Sequence, residues 1–344
     1  MEYYAGIDVS LEQSSVCLMD ADGKVISETK IASEPSALIQ HFQSVDMTIR
    51  RIGLEAGPLS QWLHAGLQKA GFEIVLLETR HVKAALSAMM VKTDRRDARG
   101  IAQLLRMGWY RPVHCKSTPA QEIRALLTAR KQLQVKMLDV QHSIRGLMRG
   151  FGLKLGGVSR GRFEQRVRDL AEGHDMLTMI TGAMLKAWHA LRDEYLGLHK
   201  EILRIARQDE VCRLLMTVPG VGALVAITYK TAVDDPTRFA RSKAVGVHFG
   251  LTPKRYQSGQ TDVIGRITKV GDSMARAMLY EAAQTMLTRS IRFSTLKHWA
   301  LSVARRRGMK RAKVALARKL AVVLHRIWTD GSEFRWGKEL AMAA

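Results

Sequence analysis

Tyr4-Ala5-Gly6-Ile7-Asp8-Val9-Ser10 begins the chain with an apolar run that ends in a carboxylate. The next run, Ser15-Val16-Cys17-Leu18-Met19-Asp20, leads straight into Ala21-Asp22-Gly23-Lys24. Short apolar runs bounded by an Asp-Gly turn read as strands joined by hairpins, so Asp8 projects from the first strand. Working outward, the pattern predicts strands over 3–9, 14–20 and 24–31, a helix over 35–44, a strand over 50–54, a helix after Pro58 and a strand over 73–77.

Three hairpin-linked strands followed by alternating helices and strands describe a mixed sheet flanked by helices. That is the order of the ribonuclease-H-like fold, and the expected class is therefore α/β followed by α. From Pro119 the period turns helical. Ile123, Leu126, Arg130, Leu133, Met137, Val140, Ile144, Leu147 and Phe151 follow strict 3,4 spacing, with Arg130 the polar intruder. A second seam runs Met184, Trp188, Leu191, Tyr195, Leu198, Ile202 and Ile205. Two such coiled-coil-like helices pair either with each other or with another chain. A basic, glycine-rich stretch from Arg149 to Arg162 separates them and reads as a loop or short helices rather than a core element. The expected organisation is a metal-binding domain over 1–115, a helical domain over 116–210 and a mostly helical domain over 211–344.

Charge divides the chain unevenly. Residues 1–90 carry 7 lysines and arginines against 11 carboxylates, net −4, so of the total of +22 the remainder holds +26. A basic surplus of that size concentrates polyanions and gives salt-dependent binding. Cys17, Cys115 and Cys212 are far apart and form no CxxC or Cys/His cluster, which argues against a disulfide framework or a zinc site. No apolar run is long enough to span a membrane, and the N-terminus shows no signal-peptide pattern. The expectation is a soluble cytoplasmic protein.

Two basic features stand out in the last third. In Val218-Pro219-Gly220-Val221-Gly222, a glycine turn between helices either points backbone N–H groups of Gly220 and Gly222 at a phosphate or is an ordinary helix connection. Arg305, Arg306, Arg307, Lys310 and Arg311 flank apolar Val314, Leu316, Leu320 and Leu324, and predict one helix with a buried and a basic face. The basic face either lies along a nucleic-acid backbone or is simply solvated.

The carboxylates suggest the chemistry. Phosphodiester transfer with two metal ions about 4 Å apart needs three or four acids at one point. Asp8 is one candidate. Glu55 ends Arg51-Ile52-Gly53-Leu54-Glu55, just before the small residues Ala56 and Gly57. Asp94 and Asp97, at i and i+3 in Lys92-Thr93-Asp94-Arg95-Arg96-Asp97, share a helix face.

GIDVS, GLEAG and KTDRRDA, in this order and spacing, resemble the DEDD transposases of the insertion-sequence family called "IS one-ten", relatives of the Piv invertase. Gly250-Leu251-Thr252-Pro253-Lys254-Arg255-Tyr256-Gln257-Ser258-Gly259 and Gly265-Arg266-Ile267-Thr268-Lys269-Val270-Gly271-Asp272 resemble that family's C-terminal signature. The resemblance implies that Asp8, Glu55, Asp94 and Asp97 bind Mg2+, or Mn2+ in its place, and that Ser258 is the nucleophile of a serine recombinase. It departs from the family at Gln257 and Gln260, where members commonly carry a second serine and a second glycine. Lys254, Arg255, Arg266 and Lys269 would neutralise phosphate charge near Ser258, as Arg95 and Arg96 would beside the acids. Also implied are a composite site of acids and serine, double-stranded donor and target DNA, a structured bridge RNA as guide, a homo-oligomer from dimer to tetramer, and a bacterial, nucleoid-associated setting. Three other classes share parts of the pattern. A RuvC-like junction or structure-specific nuclease would cut by hydrolysis and leave Ser258 dispensable. A sugar-kinase or actin-like ATPase would need a second glycine-rich domain, and a nonenzymatic DNA-binding protein would leave the carboxylates unexplained.

Overall fold

The computed structural model describes residues 2–87 and 93–337 and divides into two compact units, Met1–Lys116 and Ser117–Ala344. The first is built on β1 (Tyr3–Asp8), β2 (Gln13–Asp20), β3 (Val25–Ala32), α1 (Pro35–Ser44), β4 (Ile49–Glu55), α2 (Ser60–Lys69), β5 (Ile74–Leu77), α3 (Thr79–Leu86), α4 (Asp94–Arg106) and β6 (Pro112–Val113). Among the described residues they form one sheet in the order β3-β2-β1-β4-β5-β6. The first three strands are antiparallel, β1, β4 and β5 run parallel, and β6 returns antiparallel. The expected mixed, RuvC-like sheet is therefore present. One face packs on α1 and α2 through Ile7, Leu38, Leu63 and Leu67. The other carries α4, with Tyr4, Ile101 and Leu105 in a common cluster.

Small residues let α4 lie directly on β1. A Cβ on Gly6 would come within 2.2 Å of the Ala98 carbonyl oxygen and 2.4 Å of the Ala102 nitrogen, and one on Gly53 within 2.5 Å of Leu105. The sequence pattern did not predict α3, in which Val82 is the buried residue, or the two-residue β6. Neither is long enough to show a period.

In the second unit, α5 (Thr118–Gly150) and α7 (Asp175–Gln208) pack against each other as a long hairpin, with α6 (Phe163–Ala171) across its tip. Arg130 is accommodated at this seam. It donates to His199 Nδ1 at 3.1 Å and to the Tyr195 hydroxyl at 2.7 Å, with its guanidinium 4.8 Å from the Tyr195 ring centroid. The first seam departs from its predicted course. Leu127 and Met148 are buried, whereas Leu147 is 43% and Phe151 62% exposed. A strict 3,4 alternation drifts about 20° per heptad around a straight helix, so the buried stripe steps from Ile144 to Met148.

Beyond it come α8 (Glu210–Leu215), α9 (Ala223–Val233), α10 (Lys243–His248), the hairpin β7 (Pro253–Ser258) and β8 (Thr261–Ile267), α11 (Ser273–Thr288), α12 (Thr295–Arg307) and α13 (Met309–Asp330). These helices share one core with the near ends of α5 and α7, which includes Leu127, Ile202, Leu215, Tyr229, Leu279 and Leu320. The buried Tyr229 hydroxyl donates to the Ala321 carbonyl at 2.7 Å. The single basic helix predicted from Arg305 onward is two helices. Gly308, at φ 82°, ends α12 and starts α13, a backbone conformation that no helix interior contains. Among the described residues no helix is long and apolar enough to cross a membrane.

Candidate active site

The sheet brings two of the acids to one edge. Ile7 of β1 registers with Leu54 of the parallel β4, so Asp8 and Glu55 end neighbouring strands at the same level. Both are half-buried. The turn after Glu55 is fixed from below. Ser60, itself buried, donates to the Gly57 carbonyl at 2.7 Å and accepts from the Gly57 N–H at 2.9 Å, and the Ala56 N–H reaches the Leu77 carbonyl at 3.0 Å. After Asp8, Ser33 donates to the Ser10 carbonyl at 2.7 Å and ties that loop to β3.

Helix α4 delivers the other pair. It runs antiparallel to β1, because Ala98 lies over Gly6 while Ile101 and Leu105 lie by Tyr4. Its first turn consequently rises toward the Asp8 end of the strand. Asp94 and Asp97 continue the stripe of Ile101 and Leu105 toward the helix N-terminus, the stripe that faces β1 and β4. Two strand residues from Gly6 to Asp8 span about 6.6 Å, and the turn from Ala98 back to Asp94 about 6 Å, so the heights match. Thr93 caps the helix by accepting from the Arg96 N–H at 3.3 Å, and negative charge in that first turn suits the helix dipole. Lys92 of the same motif lies outside the described residues.

Glu28 on β3 holds this turn in place. It accepts from Arg95 and also from Arg99 at 3.0–3.2 Å, with its side chain only 6% exposed. Burial alone would raise its pKa, but the two guanidiniums outweigh that and leave it below the usual carboxylate range. Arg95 thus pairs with Glu28 while its side chain remains mostly exposed. Nothing in the sequence around Glu28 marks this role, since its partners lie about seventy residues away.

Asp8 and Glu55 thus end neighbouring strands, and the first turn of α4 carries Asp97, half-buried, and Asp94, exposed. Asp8, Glu55 and Asp97 each engage partners of their own. Among the described residues no three His, Cys, Asp or Glu side chains stand close enough to enclose an ion. As donors, four carboxylates suit a hard divalent cation such as Mg2+.

Ser258 lies in the second unit, as the last paired residue of β7. It faces Thr261 across the ladder, with Gly259 and Gln260 forming the turn. Gly259 has φ 55°, at the turn position where two-residue hairpins most readily accept glycine. Strand alternation puts Ser258, Tyr256 and their partners Thr261 and Val263 on one face of an exposed hairpin. Pairing places the Thr261 hydroxyl opposite Ser258.

The hairpin arms are exposed but their base is clamped. A Cβ on Gly250 would meet Val270 backbone at 2.4 Å and one on Gly271 the His248 carbonyl at 2.1 Å. Arg276 donates across this junction to the Phe249 and Val270 carbonyls at 3.1 and 2.9 Å. Lys269 adopts a left-handed φ of 57° at the same junction. Lys254 and Arg266 are exposed, whereas Arg255 forms a two-point pair with Asp262 at 2.8 Å. Gly220 proves to be a packing residue. At φ 84°, a Cβ there would lie 2.5 Å from the Ala282 carbonyl, so this glycine admits α11. Gly222 is exposed at the N-cap of α9. Arg305, Arg306 and Arg307 fall in the last turn of α12, and Lys310 and Arg311 in the first turn of α13.

Comparison with known proteins agrees with this arrangement of parts. Residues 5–152 match the DEDD transposase family of IS110 and residues 212–298 the transposase IS116/IS110/IS902 family. The first span contains the four acids and the second contains Ser258. The transposase for insertion sequence element IS1111A of Coxiella burnetii is 29% identical over 340 residues, which is 96% of this chain and 91% of that protein. The transposase for insertion sequence element IS1328 of Yersinia enterocolitica is 22% identical, across 82% of this chain and 85% of its own. Among solved structures, T. thermophilus RuvC in complex with a Holliday junction substrate matches 33% of this chain and 100% of its own at 12% identity. Its TM-score of 0.26 is too low to add to the sheet order already described. Both segments match these transposase models and the similarity to the IS1111A transposase runs almost end to end, so along nearly its whole length the chain is similar to the IS116/IS110/IS902 transposases.

Proposed function

We propose that this transposase cuts, exchanges and rejoins DNA strands through a phosphoserine intermediate on Ser258, with Asp8, Glu55, Asp94 and Asp97 as the residues that hold Mg2+. The reading is supported by the register that ends neighbouring parallel strands β1 and β4 at Asp8 and Glu55, and by the close seat of α4 on β1, whose first turn carries Asp94 and Asp97. When bound, the metal would activate the attacking oxygen and stabilise the leaving one. The Ser258 hydroxyl attacks the scissile phosphate, forming an Oγ–P bond as the P–O bond to the departing sugar breaks. Its proton leaves to solvent or a neighbouring base, and the departing sugar oxygen takes one up. A DNA hydroxyl later reverses the exchange, so the bond's free energy is conserved and no ATP is needed. Exposed Lys254 and Arg266 offset the charge that grows on the phosphate. Donor and target DNA, a structured guide RNA and assembly into dimers or tetramers complete the reading, all by resemblance to the family.

The test is Mn2+ titration followed by electron paramagnetic resonance, which needs no turnover. Asp8→Asn, Glu55→Gln and Asp97→Asn should each weaken Mn2+ binding by about tenfold or more, while a remote control, Asp139→Asn, should leave it intact. Wild-type affinity in all four variants would contradict the assignment.

A further inference from the structure

The second unit contains a groove of 1430 Å³ between α10, the base of the β7–β8 hairpin, α12 and α13. It is larger than the roughly 300–1,000 Å³ of a small-molecule pocket, a size that suits a length of polymer. Seven lysines and arginines line it, Arg266, Arg307, Lys310 and Arg311 among them, with no carboxylate among the described lining residues. Much of its lining is apolar and includes Trp299, Val303, Val314 and Val323. The Lys319 ammonium sits 3.8 Å from the Trp299 ring centroid, so charge and aromatic surface meet within the groove. The break at Gly308 turns the chain so that Arg307 and Lys310 approach the groove from two helix ends. The N-terminus of α13 lacks a side-chain cap, and its dipole adds further positive potential.

Cationic side chains beside an indole and aliphatic lining suit a ligand that presents phosphates and flat apolar rings together. A duplex offers its phosphates but keeps its bases stacked inside, so the apolar lining would gain nothing from it. An unpaired strand offers both, through counterion release at the cations and stacking or apolar contact with that lining. The groove reaches along the hairpin as far as Ile264, and the seven residues of β8 from Ile267 to Thr261 span about 20 Å over six steps. We propose that this groove holds an unpaired segment of the DNA strand that is cut, and leads it along the hairpin toward Ser258. The inference rests on the strand-transfer reading above for the identity of the strand, but not for the binding itself.

Binding experiments on the full chain test it, with a labelled single-stranded DNA 12-mer, its duplex, and the RNA of the same sequence. The single strand should quench tryptophan emission in the wild type and much less in Trp299→Phe. Arg307→Ala/Lys310→Ala, at two exposed positions, should weaken single-strand binding roughly tenfold. The same variant should lower the slope of log affinity against log salt by about 1.4, the value for two phosphate contacts on a single strand. Ser258→Ala should bind as the wild type does, so failure of the nucleophile assignment would leave this result standing. Equal quenching by the duplex, tighter binding of the RNA, or an unchanged salt slope in the double variant would each overturn the proposal.

Discussion

Single residues carry different kinds of information in this chain. Asp8 and Glu55 were legible because each ends an apolar strand, a place where an acid is conspicuous. Ser258 was not legible from its own surroundings, since a serine before glycine in a polar hairpin has no local signature of chemistry. The glycines at the hairpin base are a third kind, whose role appears only when the opposing backbone is seen. Gly271→Ala should cost about 3 kcal/mol or more, because its Cβ would press on the His248 carbonyl at a positive φ. Chemical denaturation would check this, and a change under 1 kcal/mol would show the junction to be compliant. The cysteines give a reactivity prediction. Burial pushes the Cys17 thiol up to about 11, with the Glu28 charge adding to it, and pushes Cys212 further up. Both stay protonated near neutrality, so iodoacetamide at pH 8 should modify the partly exposed Cys115 first, and peptide mass spectrometry would read the order.

Among the elements, α4 matters most, because it decides whether two of the four acids reach the others. Its lower half is fixed by shape, with Gly6 and Gly53 beneath small or fitted side chains, and its first turn by charge, through Glu28. Gly6→Ala should lift the helix and destabilise the protein by about 3 kcal/mol, seen as a lowered denaturation midpoint. Glu28→Ala should leave the sheet folded but loosen the first turn, weakening Mn2+ affinity about tenfold, with Glu28→Asp restoring part of it. Unchanged Mn2+ affinity in Glu28→Ala would remove Glu28 from this role. The sign of the pH effect follows from its lowered pKa. The Glu28 contribution is complete above the unfolded carboxyl value of about 4.3 and is lost as pH falls through the folded value. Strands and their order were readable because hairpin turns and period-2 runs are local signals. The course of the α5 seam and the division at Gly308 were not, since helical drift and a single positive φ leave the hydrophobic pattern unchanged.

Across the whole molecule, the acids belong to the first unit, and the serine, the groove and most of the positive charge to the second. Such a division predicts separable defects. Charge removal in the second unit should lower DNA affinity and its salt dependence, whereas acid removal in the first should spare binding and stop cleavage. Charge asymmetry was legible from composition alone. The proposed cooperation of the two units in one reaction rests on the family resemblance, because no local pattern links residues about 250 positions apart. The most direct measurement is the covalent protein–DNA adduct on a denaturing gel, formed with element-end DNA in Mg2+. Wild type should give the adduct, while Ser258→Ala and Asp8→Asn should each lose it by about 100-fold or more with binding intact. Adduct at the wild-type level in either variant would contradict the shared role of the acids and the serine.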